Sequence, residues 1–172
     1  TKTDSVLGLA TGGTPVGAYQ QLVEWYKKGD LSFAEIKTVN LDEYLGLSPH
    51  HEQSYRYFMQ VNLFDHIDIK PENTHVLNGL AKDPQAECAA YNQLIRDLGG
   101  IDLQLLGMGH NGHIAFNEPG DDFGLETHVV TLTDRTIDAN TRFFESRDEV
   151  PRHALSMGIK NIMQARRILI VV

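Results

Sequence analysis

A histidine and a glutamate stand close together in a glycine-rich segment of the chain. His113 and Glu118 lie in the run GMGHNGHIAFNEP, residues 107–119, which follows apolar residues at 103–106. An imidazole titrates near neutral pH, and a carboxylate beside it can orient the ring and stabilise its charged form. The pair therefore suggests proton transfer. The alternative is a glycine turn with a structural histidine and an N-capping asparagine.

A second glycine-rich segment follows an apolar run near the start of the chain. The run covers residues 5–10, and Thr-Gly-Gly-Thr-Pro follows it at 11–15. Such runs predict buried parallel strands, and ligands bind at the C-terminal ends of these strands in open α/β sheets. Amides at a helix N-terminus bind anions, and glycine lets a phosphate approach closely. The segment matches neither common nucleotide-binding glycine motif, and a tight turn is its alternative interpretation. Two such loops predict one shared cleft.

Charged and aromatic side chains elsewhere could complete this cleft. Asp42 ends a second predicted strand, where a carboxylate can act as a base, although a helix cap or a solvated acid is the commoner outcome. Its neighbour Glu43 is expected to face outward, because adjacent residues of an extended chain point to opposite sides. Tyr44 and Tyr55 could line the pocket or pack in the core with accessible hydroxyls. Arg142, beside two phenylalanines, could bind an anion, and a surface salt bridge is its alternative.

Length, charge and cysteine content exclude several classes of protein. The 172 residues suffice for one domain with a core, and 41% hydrophobic and 22% charged residues are typical of globular proteins. A net charge of -8 argues against nucleic acid as a partner, and no stretch is long enough to cross a membrane. The single cysteine, Cys88, forms no internal disulfide and fits a reducing compartment such as the cytoplasm. His110 and His113 lack a third ligand at a suitable spacing, so we expect no metal.

Alternating strand and helix patterns predict the fold class. The first helix has Thr14 as its expected N-cap, Pro15 at its first position and Gly29 just past its end. The whole pattern predicts a three-layer, Rossmann-like α/β fold with a mainly parallel sheet flanked by helices. The apolar run at 167–172 is typical of a central strand, and no helix follows to cover it. We therefore expect residues 1–172 to form one catalytic domain that lacks C-terminal elements. The predicted strands cover residues 6–10, 36–41, 102–106, 128–132 and 167–172, and the predicted helices residues 15–28, 54–64, 84–98, 133–144 and 161–165.

Five motifs in a fixed order carry a family resemblance over nearly the whole chain. They are LATGGTP at 9–15, NLDEY at 40–44, SY at 54–55, GHIAFNEP at 112–119 and TRFF at 141–144. Together they resemble the glucosamine-6-phosphate deaminase (isomerase) family. The related 6-phosphogluconolactonases share the glycine loop and a Gly-His element, but are not expected to carry the FNEP or LDEY motifs in this form. The resemblance implies conversion of D-glucosamine 6-phosphate and water into D-fructose 6-phosphate and ammonia, in amino sugar catabolism, without a cofactor.

The resemblance also implies a role for each matched residue. Asp42 corresponds to the base that moves a proton between C2 and C1, and His113 to the ring-opening catalyst, which Glu118 orients and charges. Asn111 stands where the family often has aspartate. Its amide oxygen can accept a hydrogen bond from His113, but it adds no negative charge. The expected phosphate ligands are Gly12, Gly13, Thr14 and Arg142, and Thr11, Tyr55 and Gly107 are expected to be further substrate contacts.

Regulation and assembly are less determined by the sequence. Hexameric members of the family bind an N-acetyl sugar phosphate at an allosteric site just after the Glu-Pro motif. Here Asp121, Asp122 and residues 128–130 occupy the matching stretch, and two acids would repel a phosphate, so we expect no such site. The sequence leaves open whether the protein is a monomer or a homo-oligomer. It also leaves open whether the chain is active without the phosphate-binding lysine that the family is expected to carry beyond Val172.

Two other functions remain open at this point. A 6-phosphogluconolactonase-like hydrolase would need His113 to activate water and would make little use of Asp42. A non-catalytic sugar-phosphate sensor would need a DNA-binding domain, which these residues do not suggest. Asp42, His113 and Glu118 together favour an enzyme, and release of ammonia from glucosamine 6-phosphate would separate a deaminase from a lactonase.

Overall fold

Strands and helices alternate along most of the chain. The computed structural model describes residues 2–109, 111–120 and 122–172. Short 3-10 turns cover Phe64–His66, Pro71–Asn73, Thr141–Phe143 and Arg147–Glu149. The main elements are, in chain order, β1 (Val6–Leu9), α1 (Val16–Lys27), β2 (Lys37–Asn40), β3 (Asp42–Tyr44), α2 (Tyr55–Asn62), β4 (Thr74–His75), α3 (Pro84–Asp97), β5 (Leu103–Gly107), β6 (His128–Thr131), α4 (Asp134–Asn140), β7 (His153–Ser156), α5 (Ile159–Met163) and β8 (Ile168–Val171).

Five of the strands form a parallel sheet in the order β4-β2-β1-β5-β8. Tyr19 of α1 packs with Leu9 on one face of this sheet, and Tyr91 of α3 packs with Val39 on the other. The layers are therefore helix, sheet and helix, and the predicted α/β class with a mainly parallel sheet is confirmed. The chain builds outward from β1 to β2 and β4, then returns to the other side of β1 with β5. This reversal between β1 and β5 is a topological switch point, where ligands bind in such sheets.

Two buried tyrosine hydroxyls fix the strand ends that lead into the predicted cleft. The Tyr19 hydroxyl donates to the carbonyl of Ala10 at 2.6 Å, directly after β1. The Tyr91 hydroxyl accepts the backbone N–H of Asn40 at 2.9 Å, at the end of β2. Tyr19 belongs to α1 on one face of the sheet, and Tyr91 belongs to α3 on the other face. Each of the two strand ends is therefore held by a helix that covers the sheet.

A second, smaller sheet was not predicted from the sequence. It is antiparallel, has the order β3-β7-β6, and pairs Asp42 with Ser156. The predicted strand at 36–41 is thus followed directly by a separate strand that joins another sheet. The predicted strand at 128–132 is confirmed as β6. It pairs with β7 in the small sheet and not with a strand of the parallel sheet.

Several predicted boundaries differ from the structure. The cap of α1 is Pro15 and not Thr14, since the chain makes a turn before the helix begins at Val16. Gly29 follows the helix with φ +79°, a left-handed conformation that suits glycine. The helix predicted at 133–144 stops at Asn140 and tightens into the 3-10 turn that carries Arg142.

The edge strand β8 remains partly uncovered. Leu169 and Ile170 each expose 51% of their surface. The expectation that further elements follow Val172 stays a prediction. Within the described ranges, no helix combines the length and apolar character that a membrane crossing requires.

Candidate active site

A cavity of about 560 Å³ opens at the carboxyl ends of β1 and β5. Its volume lies within the usual range for small-molecule sites. The loops after both strands line it, as the switch-point rule predicts. The eleven residues that the sequence marked as site candidates all border this cavity: Thr11, Gly12, Gly13, Thr14, Asp42, Tyr55, Gly107, Asn111, His113, Glu118 and Arg142. The structure thus brings them together, and their individual roles stay predictions.

One wall of the cavity is suited to an anion. Gly12 has φ +87°, which favours glycine, and open space lies where side chains of Gly12 and Gly13 would project. A Cβ atom built on Gly107 would lie 3.9 Å from the Thr14 side chain, so the end of β5 borders the same loop. Arg142 reaches this cavity from its 3-10 turn, with its guanidinium 4.6 Å from the centre of the Phe143 ring. Among the described residues it forms no salt bridge.

The loop that carries His113 depends on close backbone packing. Gly112 has φ +87°, and a side chain on Gly109 would overlap the His113 ring. Ala115 adopts φ +53°, which is uncommon for a residue other than glycine. Reciprocal backbone bonds of 2.9 and 3.1 Å between Ile114 and Asn117 close the turn around it. The glycines therefore set the position of the imidazole, and the turn holds a strained residue beside it.

Asn111 bridges His113 and Glu118. Its Nδ2 donates to Glu118 Oε2 at 2.7 Å, and its Oδ1 lies 2.6 Å from His113 Nδ1. Because an ionised carboxylate only accepts hydrogen bonds, the amide nitrogen must face Glu118 and the amide oxygen must face the ring. His113 therefore carries its proton on Nδ1, which leaves Nε2 free for a proton in the cavity. The direct contact with His113 is thus made by the Asn111 amide oxygen, and the roles of Asn111 and Glu118 in the reaction stay predictions.

Thr136 extends this arrangement, although no motif or spacing in the chain predicted its role. Its hydroxyl donates to Glu118 Oε1 at 3.2 Å, while Thr133 caps α4 by accepting the Thr136 N–H. The two oxygens of Glu118 are thus held from opposite sides, by Asn111 and by α4. No spacing rule links residues 118 and 136, so only the folded chain identifies the contact.

Asp42 lies at the base of the cavity and is only 7% exposed. Burial raises the pKa of its carboxyl to about 8, and the nearby Glu43 carboxylate acts in the same direction. Such a group is protonated at acidic pH and becomes a strong base when it ionises, so its environment suits proton abstraction from carbon.

Glu43 does not face outward, contrary to the prediction. It points away from Asp42, but its side chain is only 2% exposed and accepts three backbone N–H groups. The donors are Tyr44 at 2.8 Å and Tyr55 and Arg56 at 2.9 Å each. Strand alternation correctly separates Glu43 from Asp42, but the far side of β3 is covered by the first turn of α2 rather than by water.

Aromatic rings form the remaining wall. Tyr44 packs against Tyr55 with ring centroids 5.0 Å apart, and Phe116 and Phe144 lie 5.5 and 6.0 Å from the Tyr44 ring. Burial raises the pKa of Tyr44 to about 12 and the pKa of Tyr55 well above its ordinary value. Both hydroxyls therefore stay neutral over the working pH range, and the wall can exclude water from the Asp42 carboxyl.

Metal ligands are not gathered at this site in the part of the chain described. No group of three or more histidine, cysteine, aspartate or glutamate side chains there could hold a metal ion. His110, one of the two histidines considered for such a role, lies outside the described residues.

Sequence comparisons relate the chain to known proteins. Residues 1–172 match the family described as glucosamine-6-phosphate isomerases/6-phosphogluconolactonase. A glucosamine-6-phosphate deaminase of Lachnoclostridium phytofermentans is 63% identical over 170 residues, which make up 99% of this chain and 72% of that protein. A glucosamine-6-phosphate deaminase of Clostridium perfringens is 57% identical over 166 residues, covering 96% of this chain and 69% of the relative.

Solved structures share the fold at two levels of similarity. A monomeric glucosamine-6-phosphate deaminase is 54% identical with a TM-score of 0.95, covering 98% of this chain and 70% of its own. A 6-phosphogluconolactonase from Thermotoga maritima has a TM-score of 0.73 at 19% identity, covering 98% of this chain and 70% of its own. The second likeness supports the fold alone.

Proposed function

The chain belongs to the glucosamine-6-phosphate isomerase/6-phosphogluconolactonase family, and from this premise we propose that it is the deaminase. It converts D-glucosamine 6-phosphate and water into D-fructose 6-phosphate and ammonia. The observation that carries the proposal is the placement of the buried Asp42 carboxyl in the same cavity as His113, Asn111 and Glu118. Relatives that are 54% to 63% identical and act as glucosamine-6-phosphate deaminases support it.

Binding begins at the phosphate. The amides of the loop at 11–14 and the Arg142 guanidinium hold this group, which does not react. Its role is to orient C1 and C2 of the sugar toward Asp42 and His113.

Ring opening is the first chemical step. His113 Nε2 takes the proton of the anomeric hydroxyl and returns it to the ring oxygen as the C1–O5 bond breaks. Asn111 holds the ring in the required tautomer, and Glu118 holds Asn111. The product is the open aldehyde, whose C2 proton is acidic because the carbonyl stabilises the resulting carbanion.

Isomerisation and loss of ammonia follow. Ionised Asp42 takes the C2 proton, a water molecule donates a proton to O1, and an enolamine forms. Asp42 then delivers its proton to C1, and the nitrogen gives one proton to the hydroxide left by that water, which leaves an imine at C2. Water adds to that carbon, and ammonia leaves as the ketone of fructose 6-phosphate forms. Every atom comes from the sugar phosphate and water, so we propose no cofactor.

A coupled assay for ammonia tests the proposal. Asp42→Asn should lower kcat by about 10²- to 10⁴-fold and leave KM nearly unchanged, because it removes a general base without changing shape. Asp30→Asn is a matched control, since Asp30 is exposed and lies outside the cavity. Near-normal turnover by the Asp42 variant would show that another group takes the C2 proton.

The lactonase alternative shares the fold and the family description. It predicts hydrolysis of a phosphorylated sugar lactone and no ammonia from glucosamine 6-phosphate. The burial of Asp42 beside the aromatic wall favours the deaminase, because a lactonase has no carbon-bound proton to remove. Assays of the same preparation with both substrates distinguish the two activities.

We further propose that the protein acts in the cytoplasm and lacks activation by an N-acetyl sugar phosphate. The buried free thiol of Cys88 fits a reducing compartment. Asp122 places an acid in the stretch that follows the Glu-Pro motif, and Asp121 lies outside the described residues. The solved relative with 54% identity is a monomeric enzyme; for this chain the sequence leaves assembly open.

A further inference from the structure

The Glu43 side chain is a buried carboxylate beside Asp42 that the proposed mechanism does not use. It borders a separate cavity of about 210 Å³ behind β3, on the side away from the substrate cavity. Among the described residues, no cation forms a bond with the Glu43 carboxylate. Arg56 also borders this cavity, but its guanidinium donates to Thr74 instead. A buried acid without a counter-ion needs another source of stabilisation.

Backbone N–H groups supply that stabilisation. Glu43 Oε1 accepts from Tyr44 and Tyr55, and Oε2 accepts from Arg56, at 2.8 to 2.9 Å. Tyr55 and Arg56 are the first two residues of α2, and Ser54 caps the third by accepting the Tyr57 N–H at 3.0 Å. Most of the backbone N–H groups that lack an intrahelical partner in this first turn therefore donate to one carboxylate. The positive end of the helix dipole also stabilises the negative charge of that carboxylate.

The same three bonds connect the two halves of the aromatic wall. Tyr44 belongs to β3 and Tyr55 to α2, and Glu43 Oε1 binds the amides of both. Their rings meet in front of this connection, with centroids 5.0 Å apart, and both line the substrate cavity beside Asp42. A change in the length of residue 43 would therefore move the wall relative to the Asp42 carboxyl.

We propose that Glu43 is a positioning residue for the reaction: it joins β3 to α2 so that Tyr44 and Tyr55 close the cavity over Asp42, and it holds a negative charge behind that carboxyl. The proposal rests on the proposed function, in which Asp42 is the base. Glu43 does not touch the substrate, because β3 separates it from the substrate cavity.

The charge of Glu43 has a measurable consequence for Asp42. The charged group that raises the pKa of Asp42 is Glu43, and Asp42 in turn raises the pKa values of Tyr44, Tyr55 and Tyr91 of α3. Burial raises the pKa of each tyrosine, so these three are neutral when Asp42 ionises. Burial also raises the pKa of Glu43, while its three N–H donors favour the charged form, and this charge raises the pKa of Asp42. Removing this charge lowers the pKa of Asp42.

Two substitutions separate charge from length. Glu43→Gln keeps the length and the Oε1 acceptor but loses the charge and the bond to Arg56. We expect kcat to fall about 10- to 100-fold from misplacement of the wall, and the acidic limb of the kcat/KM profile to move to lower pH. Glu43→Asp keeps the charge on a shorter side chain, so kcat should fall by a similar factor while the acidic limb stays in place. KM should change little in both, and the exposed Glu72→Gln variant serves as the control.

The measurements use the full-length protein, with activities normalised to the folded fraction. An unmoved acidic limb in Glu43→Gln, or wild-type kcat in Glu43→Asp, would overturn the proposal. If Glu43→Gln does not fold, the Asp variant alone decides by its kcat. A ¹³C titration of the Asp42 carboxyl in wild type and Glu43→Gln does not require turnover. A wild-type protein that releases no ammonia refutes the proposed function, whereas an unchanged Asp42 titration refutes the role of Glu43.

Discussion

The burial of Asp42 predicts how the stability of the folded chain depends on pH. Its pKa of about 8 in the folded protein lies above the ordinary value of 3.8. Between these values the unfolded chain has released the proton and the folded chain still holds it. The free energy of unfolding therefore falls as pH rises through this window and levels off above about pH 8. Asp42→Asn removes the titrating group, so the free energy of unfolding of the variant should not show this decrease over the same pH range.

The size of the effect follows from one proton. Inside the window, the variant should gain about 1.4 kcal/mol of unfolding free energy relative to wild type for each pH unit. Between pH 5 and pH 7 the difference should therefore change by ~2.7 kcal/mol. Such a change is a large fraction of the stability of a typical domain, so it lies well outside the error of a denaturation experiment.

Urea unfolding at pH 5, 6 and 7, followed by circular dichroism, measures this directly. Wild type, Asp42→Asn and the exposed control Asp30→Asn should be compared at equal ionic strength. The Asp30 control should differ from wild type by a constant amount. If the difference between Asp42→Asn and wild type is also constant over this range, Asp42 is ionised in the folded state like an exposed aspartate, and the argument for a poised base fails.

Three further predictions concern the ligand, the histidine and regulation. Arg142→Ala should raise KM for glucosamine 6-phosphate about 10- to 100-fold with little change in kcat, because a charge-assisted bond to the phosphate is lost; equal effects on unphosphorylated glucosamine would argue against a phosphate contact. Gly109→Ala should lower kcat at least about tenfold, because the new methyl group displaces the His113 ring, and a wild-type kcat would contradict the packing argument. Initial rates should follow a hyperbola without activation by N-acetylglucosamine 6-phosphate, and a sigmoidal curve that this compound straightens would refute the inference drawn from Asp122 and its neighbours.

The parallel sheet could be predicted from the sequence, whereas the small antiparallel sheet could not. Strands buried on both faces are continuous apolar runs, as at 6–10, and these stand out from their surroundings. The strand β7 has only four residues, His-Ala-Leu-Ser, and β3 follows β2 with a single residue between them. Neither has a pattern long enough to separate it from a loop or from the preceding strand.

The candidate site was predicted better than the contacts that hold it. The loops after β1 and β5 had to meet because parallel strands end at the same edge of a sheet, which placed Gly12 and His113 together. Glu43 was misjudged because alternation gives the direction of a side chain but not what lies there, and α2 is brought in by the tertiary fold. The same limit applies to Thr136, whose bond to Glu118 spans 18 positions of sequence.

The amide of Asn111 has a consequence for where protons can travel. It joins His113 to Glu118 through two short hydrogen bonds, yet at neutral pH an amide neither takes up nor releases a proton. The carboxylate therefore fixes the direction of the imidazole but cannot store the proton that the imidazole receives. In the proposed reaction, the proton that His113 removes from one oxygen of the sugar is therefore returned to another oxygen of the same sugar. Ring opening is then a transfer within the substrate, with the protein as a temporary carrier and no exchange with its own interior.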